Sequence, residues 1–210
     1  MSALVAAVAA ARRRTIDGRF WHQGPTRHPL DACADPAVTG GRFHRAGGVG
    51  VWYASSQEQA AWAELFRHFV DDGVDPFEVI RRAGSVDVAD LVVLDLTDPT
   101  VCVALGVTED DLVADDYTLC QDIAAAAHAA GFDGILAPAA ALPGRRTLAI
   151  FATAMRKVVP GPSRVRQPPP RMADLLAAIR PHPDVPTAVR RLFWVIASGG
   201  SAAIRRLRRR

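Results

Sequence analysis

Short apolar runs alternate with helical patterns between residues 49 and 156. The short runs are rich in β-branched residues, and the longer segments repeat apolar residues every three or four positions. The pattern predicts strand 49–53, helix 57–70, strand 78–82, strand 91–97 and a short helix capped at 108–111. It then predicts an Ala-rich helix that follows residues 115–116 and runs to Gly131, and strands 134–141 and 147–154. Such an alternation is typical of a mixed sheet with helices packed against it, so we predict a mixed α/β (α+β) fold.

The two ends of the chain follow other patterns. Residues 1–14 predict a short Ala-rich helix, whose last arginines would face the negative end of the helix dipole. Prolines exclude long helices over residues 15–39, where only residues 19–22 suggest a short strand. Beyond Pro160 the sequence GPSRVRQPPPR predicts a linker followed by amphipathic segments. We expect an N-terminal helix at 1–14, one domain at 15–158, and a linker with a basic helical tail at 159–210.

Charge divides the chain into two unequal parts. The net charge is +3, yet residues from 161 onward hold eleven arginines and two aspartates. The tail therefore carries +9 and the preceding body −6. An acidic body with a basic appendage is unlike a domain shaped around a duplex, so we expect no specific nucleic-acid partner.

The composition, 50% hydrophobic and 22% charged over 210 residues, is that of a globular protein. No apolar run reaches the roughly 18 residues that cross a bilayer. The N-terminal charges follow the apolar stretch, contrary to a signal peptide. Cys33, Cys102 and Cys120 show no CxxC spacing, which disfavours a disulfide framework and a zinc site. We expect a cytoplasmic protein with no transmembrane segment and no metal.

Polar and aromatic residues are concentrated in the first third of the chain. His22, Arg42, Tyr53 and Glu64 stand around the glycine-rich stretch 40–48, which predicts a mobile loop. No Walker loop, dinucleotide-binding glycine turn or nucleophile elbow accompanies them. These residues alone select no reaction, because Glu64 also suits an exposed helix face, Tyr53 a core strand, and Arg42 a solvated loop.

Four stretches of the sequence stand out together: GGRFHRAGG (40–48), VWYASSQEQAAWAE (51–64), VLDLTDPTVCVALGV (93–107) and DDYTLCQDIAAAAHAAGFDGILAPAA (115–140). In their order and spacing they resemble the RES-domain proteins, bacterial toxins of toxin–antitoxin pairs. With their connections they span about residues 15–156. The resemblance implies a fold similar to ADP-ribosylating toxins, with central sheets and flanking helices.

The resemblance also implies an enzyme that cleaves NAD at the nicotinamide–ribose bond. In one branch of NAD-degrading toxins the acceptor is inorganic phosphate, which gives nicotinamide and ADP-ribose 1″-phosphate. NAD is then the small-molecule substrate, phosphate the co-substrate, and an Xre-type helix-turn-helix antitoxin the partner. Hydrolysis by water stays open, as do transfer of ADP-ribose to a protein and an inactive NAD-binding relative.

Three residues match the catalytic positions of the family: Arg42, Tyr53 and Glu64. Loss of nicotinamide develops positive charge on the ribose, which a carboxylate at Glu64 would stabilise. The planar fork of Arg42 suits the NAD pyrophosphate or an attacking phosphate. Tyr53 would stack on the nicotinamide ring.

Two positions depart from the family pattern. His22, beside Gln23, stands where relatives carry an arginine in the first strand, and Thr118 replaces a serine. Without that arginine, the electrostatic demand of a phosphate site falls on Arg42 and Arg45. His22 and Thr118 would bind ribose or phosphate oxygens, although they also suit a packing histidine and first-turn helix polarity. The predicted substrate-binding residues are therefore His22, Gln23, Arg45 and Thr118.

Overall fold

The structure, a computed structural model, describes residues 3–33, 40–71, 76–169 and 178–180. The part of the predicted helical tail from residue 181 onward lies outside these residues. Within them the chain has the predicted mixed α/β architecture, with one sheet and helices around it.

Six strands make up the sheet: β1 (Arg13–Gly24), β2 (Val51–Ser55), β3 (Arg81–Asp95), β4 (Gly134–Pro138), β5 (Arg146–Phe151) and β6 (Val158–Arg166). Their order is β1-β2-β5-β4-β3-β6, and β1 also pairs with β3. Because of that extra pairing, the first five strands close into a ring, and β6 lies outside it against β3. Only β3 and β4 are parallel among these described neighbours.

The helices are α1 (Ala3–Ala10), α2 (Glu58–Asp71), α3 (Pro99–Leu105), α4 (Glu109–Val113) and α5 (Thr118–Ala129), with 3₁₀ turns at Pro76–Glu78 and Ala152–Lys157. The predicted helix 57–70 is confirmed as α2. So is the cap at residue 108, where Thr108 and Asp111 form a reciprocal capping box at the start of α4. The residues that define α2 and the cap of α4 lie close together in the sequence, so the sequence alone predicts both elements.

Three apolar clusters hold the elements together. The first packs α1, α3, α4 and α5 on the sheet and includes Leu94, Ile123 and Phe151, which are fully buried. The second includes Trp52, Leu91 and Leu148, which come from strands that close the ring. The third joins α2 to residues 141–142 and 179. Burial on this scale supplies most of the folding free energy, and it fixes α2 beside the end of the sheet.

Before residue 24 the predicted N-terminal helix and the strand at 19–22 are confirmed, but their boundaries are wrong. The helix ends at Ala10 and the following arginines begin β1, a strand of 12 residues where only 19–22 is predicted as strand. β1 pairs with β3 from Arg13 to Gly24, with a register shift after Ile16. Most of its side chains are exposed or half-buried, so backbone pairing rather than an alternation of apolar side chains defines this strand.

Two further predictions differ from the structure. The separate strands 78–82 and 91–97 are one continuous strand, β3, preceded by a 3₁₀ turn. The linker predicted after Pro160 is β6 as far as Arg166, and its backbone approaches β3 closely. A Cβ at Gly84 would lie 2.4 Å from the Pro162 carbonyl oxygen, so glycine is required there. The body of the fold therefore extends beyond residue 158.

Candidate active site

A cleft of about 460 Å³ opens between α2, the loop at residues 40–44, and the ends of β1, β2 and β3. Five predicted site residues line it: His22, Gln23, Arg42, Tyr53 and Glu64. They come from four separate segments, which the sheet brings together. The structure thus brings together the predicted catalytic residues and half of the predicted substrate-binding residues in one cleft.

Glu64 lies in the middle of α2 and is partly buried. Its Oε1 accepts a hydrogen bond from the Ala141 backbone N–H at 3.1 Å. This contact fixes the carboxylate against the segment that follows β4. A carboxylate that is fixed by such a hydrogen bond is preorganised to stabilise a positive charge that develops in the cleft.

Tyr53 fixes the loop that carries Arg42. Its hydroxyl accepts a hydrogen bond from the Phe43 N–H at 3.0 Å and lies 3.0 Å from His44 Nδ1. Burial raises the pKa of Tyr53 far above its usual range, against the Phe43 hydrogen bond, which lowers it, so the hydroxyl stays protonated. The turn is tight: a Cβ at Gly41 would lie 2.6 Å from the His44 ring. The stretch predicted as a mobile loop is therefore anchored to β2 at residues 41–44.

Arg42 is anchored at the rim of the cleft. Its Nη1 donates to the carbonyl oxygens of Leu112, at 3.0 Å, and Ala114, at 2.5 Å. The guanidinium group lies over the Tyr117 ring, 4.5 Å from its centroid. Such a stacked, hydrogen-bonded guanidinium is held in one orientation and can direct its remaining donors at an anion.

His22 is a neutral acceptor in this site. Its Nδ1 lies 2.6 Å from the Tyr53 carbonyl oxygen, which can only accept, so the ring proton is on Nδ1 and Nε2 is left as an acceptor. Burial, helped by the Arg81 charge, lowers the pKa of His22 to about 4, although the Tyr53 hydrogen bond opposes this shift. Near pH 7 His22 therefore suits a hydroxyl group and supplies no charge to a phosphate.

The fold and this geometry can be compared with known proteins. Residues 11–189 match the RES domain family. This chain belongs to the RES domain family. The family resemblance found in the sequence is thereby confirmed.

Relatives of this RES domain protein are known from mycobacteria. It is 61% identical over 206 residues to the probable NAD(+) phosphorylase Rv3189 of Mycobacterium tuberculosis, which covers 98% of this chain and 99% of that protein. It is 43% identical to the NAD(+) phosphorylase MbcT of Mycobacterium bovis over 63 residues, which cover 30% of this chain and 34% of that protein.

A solved structure confirms the fold class. The crystal structure of the M. tuberculosis MbcT–MbcA toxin–antitoxin complex matches this RES domain with a TM-score of 0.72 at 24% identity. The match covers 85% of this chain and 97% of that chain. The mixed α/β arrangement of strands and helices is therefore shared with that chain.

Two predicted binding residues lie elsewhere in the RES domain. Arg45 is exposed and pairs with Asp122 on α5 at 2.9 Å. Thr118 is exposed at the start of α5, where its N–H donates to Asp116 at 2.9 Å. Neither residue is among those that line the cleft. The positive charge for binding phosphate groups, which the sequence predicts at Arg45, must therefore come from other arginines in the cleft.

Those other arginines are Arg67 and Arg81, which line the cleft and which the sequence analysis missed. Arg67 follows Glu64 by one helical turn, so the spacing on α2 is a signal that could have found it. Arg81 donates from Nε to the Gln23 side chain at 2.7 Å. That contact joins two distant strands, and no local pattern announces it.

The charge of the cleft is positive. Its described lining residues include three arginines, Arg42, Arg67 and Arg81, and a single carboxylate, Glu64. Arg67 also pairs with Asp115, which is not a lining residue. In the described part of the chain, His, Cys, Asp and Glu side chains form no cluster able to hold a metal ion. Over the residues that the structure describes, no helix is long and apolar enough to cross a membrane. A ligand with anionic groups and one developing positive centre fits this arrangement.

Proposed function

We propose that this RES domain protein cleaves NAD at the nicotinamide–ribose bond and transfers ADP-ribose to inorganic phosphate. The observation that carries the proposal is a cleft lined by one fixed carboxylate, Glu64, and by three arginines. The relative of matching length, named a probable NAD(+) phosphorylase, supports the same reaction. Catalysis would rest on Glu64, Arg42 and Tyr53.

The chemistry needs few groups. A phosphate oxygen forms a bond to the ribose carbon that carries nicotinamide, and the carbon–nitrogen bond breaks. The bonding electron pair moves to the ring nitrogen, so nicotinamide leaves neutral and no general acid is required. The Glu64 carboxylate stabilises the oxocarbenium-like charge on the ribose, and its bond from Ala141 keeps it in place.

Substrate binding is divided among the other groups. Arg42 and Arg81 bind the pyrophosphate, for which guanidinium forks are suited. The Nε2 atom of His22 accepts a hydrogen bond from a ribose hydroxyl. Gln23, the next residue, accepts a hydrogen bond from Arg81. Tyr53 and Tyr117 offer aromatic surface to the nicotinamide ring.

We also propose that the protein is a toxin controlled by an antitoxin. The matching solved chain belongs to a toxin–antitoxin complex, MbcT with MbcA, which supports a protein partner of that kind. An Xre-type helix-turn-helix antitoxin is the specific form that we propose. The three free thiols suit a reducing compartment, so we place the reaction in the cytoplasm.

Product analysis tests the reaction. The purified full chain is incubated with NAD, with and without phosphate, and products are separated by chromatography and mass spectrometry. We expect nicotinamide and ADP-ribose 1″-phosphate in equal amounts, and a rate that depends on phosphate. ADP-ribose alone would indicate hydrolysis, and label transferred from NAD to a protein would indicate an ADP-ribosyltransferase. An intact NAD pool would contradict the proposal.

A further inference from the structure

One buried cation in the cleft has an unused donor. Arg67 is only 6% exposed, and its Nη2 forms an ion pair with Asp115. Its Nη1 is buried and has no hydrogen-bond partner. Arg67 is one of the residues that line the cleft, so this unpartnered nitrogen belongs to a side chain that borders it.

A buried, unpaired donor on a charged group is costly. Leaving such a group unsatisfied destabilises the folded state, and native proteins rarely leave one without a reason. Four buried side-chain atoms in the described residues share this state: Arg67 Nη1, Thr147 Oγ1, Arg166 Nε and Arg180 Nη1. Arg67 and Thr147 line the cleft, whereas Arg166 and Arg180 do not. Thr147 can donate or accept, so only Arg67 selects for an anion.

The neighbours of Arg67 place this donor close to the reaction. Glu64 is one turn away on α2, a spacing that brings two side chains to the same helix face. Asp115, which pairs with Arg67, follows Ala114, the residue whose carbonyl oxygen holds Arg42. The guanidinium groups of Arg42 and Arg67 are therefore anchored on consecutive residues.

We propose that Arg67 binds the acceptor phosphate through Nη1 and thereby selects phosphate over water. This inference rests on the proposed NAD cleavage and deepens it. A guanidinium N–H gives a charge-assisted hydrogen bond to a phosphate oxygen, and none of comparable strength to water. Phosphate held beside Glu64 lies next to the carbon that it attacks, which raises its effective concentration. Arg67 is thus the residue that makes the enzyme a phosphorylase.

The test uses Arg67→Lys in the full chain, with NAD loss measured at varied phosphate and varied NAD. We expect the half-saturating phosphate concentration to rise about tenfold or more, because lysine keeps the charge and loses the fork. The half-saturating NAD concentration stays within about threefold, because Arg42 and Arg81 bind the pyrophosphate. The fraction of ADP-ribose among the products rises as water replaces phosphate. An unchanged phosphate dependence, or an equal rise for NAD, overturns the proposal.

Arg166→Lys is the matched control. Arg166 also pairs with a carboxylate of α2, Glu58, and has a buried unpartnered nitrogen, but it does not line the cleft. Its phosphate dependence should match the parent protein. If Arg67→Lys does not fold, Arg67→Met combined with Asp115→Asn removes both members of the pair and avoids a lone buried charge.

A second measurement separates this inference from NAD cleavage. The thermal transition is followed with phosphate, without NAD, in the parent and in Arg67→Lys. Ligand binding to the folded state raises Tm, so phosphate should stabilise the parent and have much less effect on the variant. This result supports the Arg67 site even if NAD is not cleaved. Equal shifts in both proteins, or no shift in either, overturn it.

Discussion

Two arginine–aspartate pairs, at different places in the fold, show how the same residue types serve different ends. Arg14 on β1 pairs with Asp95 at the end of β3, and Asp95 also accepts from the N–H and hydroxyl of Thr97, at 2.9 and 2.6 Å. Burial would raise the pKa of Asp95, but the hydrogen bonds from Thr97 and Arg14 outweigh it and lower the pKa.

The pair of Arg67 and Asp115 differs from this pair in the exposure of its arginine and in the donor that lacks a partner. At the Asp95 pair the exposed member is the arginine, 48% exposed, so its spare donors reach solvent. At the cleft pair the arginine is 6% exposed, and one of its buried nitrogens has no hydrogen-bond partner. The first arrangement joins strands. The second keeps a binding group ready at a cost to stability. Substitutions should therefore affect stability at one pair and activity at the cleft.

The largest effect is expected at Glu64. Glu64→Gln removes the negative charge but keeps an oxygen for the Ala141 N–H, so the fold should persist. NAD turnover should fall at least about 100-fold, equivalent to roughly 2.7 kcal/mol of transition-state stabilisation. Initial rates of nicotinamide release measure the loss, and circular dichroism checks folding. A folded variant with turnover within a few-fold of the parent would remove Glu64 from the catalytic site.

At Asp95 we expect the opposite result, a loss of stability with little change in activity. Asp95→Asn weakens the charge-assisted hydrogen bonds to Arg14 and Thr97, so the free energy of unfolding should fall by about 2 kcal/mol. Urea unfolding measures this change. The kcat and both KM values should stay close to those of the parent at a temperature where the variant is folded. A selective loss of activity without loss of stability would break the contrast between the two regions.

A smaller effect is expected at Arg42. Arg42→Lys keeps the charge but loses the fork and the stacked plane over Tyr117. We expect KM for NAD to rise about tenfold, with a smaller change in kcat. Arg45→Lys, in an exposed residue outside the cleft, is the control and should leave KM unchanged. If both variants keep the parent KM, Arg42 serves only to anchor its loop.

The smallest effect that we expect is a loss of folding stability at acid pH, through His22. The pKa of His22 is about 4 in the folded protein and near 6.5 when unfolded, so the unfolded chain binds the extra proton first. Stability from this group is therefore present above pH 6.5 and declines as the pH falls toward 4. Between pH 6.5 and roughly 5.5 the loss should be about 1 kcal/mol.

Unfolding free energies at these two pH values test this dependence. His22→Gln should flatten it, and His28→Gln, in an exposed residue, should leave it unchanged. Equal slopes in the parent and in His22→Gln would show that His22 is not buried as a neutral ring.

The sequence predicts those elements whose signals are local. Helix α2 and the box at Thr108 follow from side-chain spacing and cap chemistry within a few residues. The meeting of Arg42, Tyr53 and Glu64 in one cleft follows instead from the family resemblance, because composition and periodicity say nothing about which segments meet.

What the sequence misses depends on distant partners. β1 is half-exposed and gains its structure by pairing with β3, which lies about 70 residues later. The Gln23–Arg81 contact follows from that pairing. β6 begins among prolines and glycine, whose composition suggests a linker, yet it is placed at the edge of the sheet, where proline is tolerated. Propensity cannot show pairing between segments so far apart.

The segment 114–117 has a consequence for how such an enzyme can diverge. It holds Arg42 through Ala114 and Tyr117, and Arg67 through Asp115. One short stretch of chain thereby sets the position of a group for the donor molecule and of a group for the acceptor. Substitutions at neighbouring positions of this segment should therefore be coupled, so that their effects on the two arginines do not add independently. The preferences for donor and acceptor are thus inherited together, and a lineage that changes one must also readjust the other.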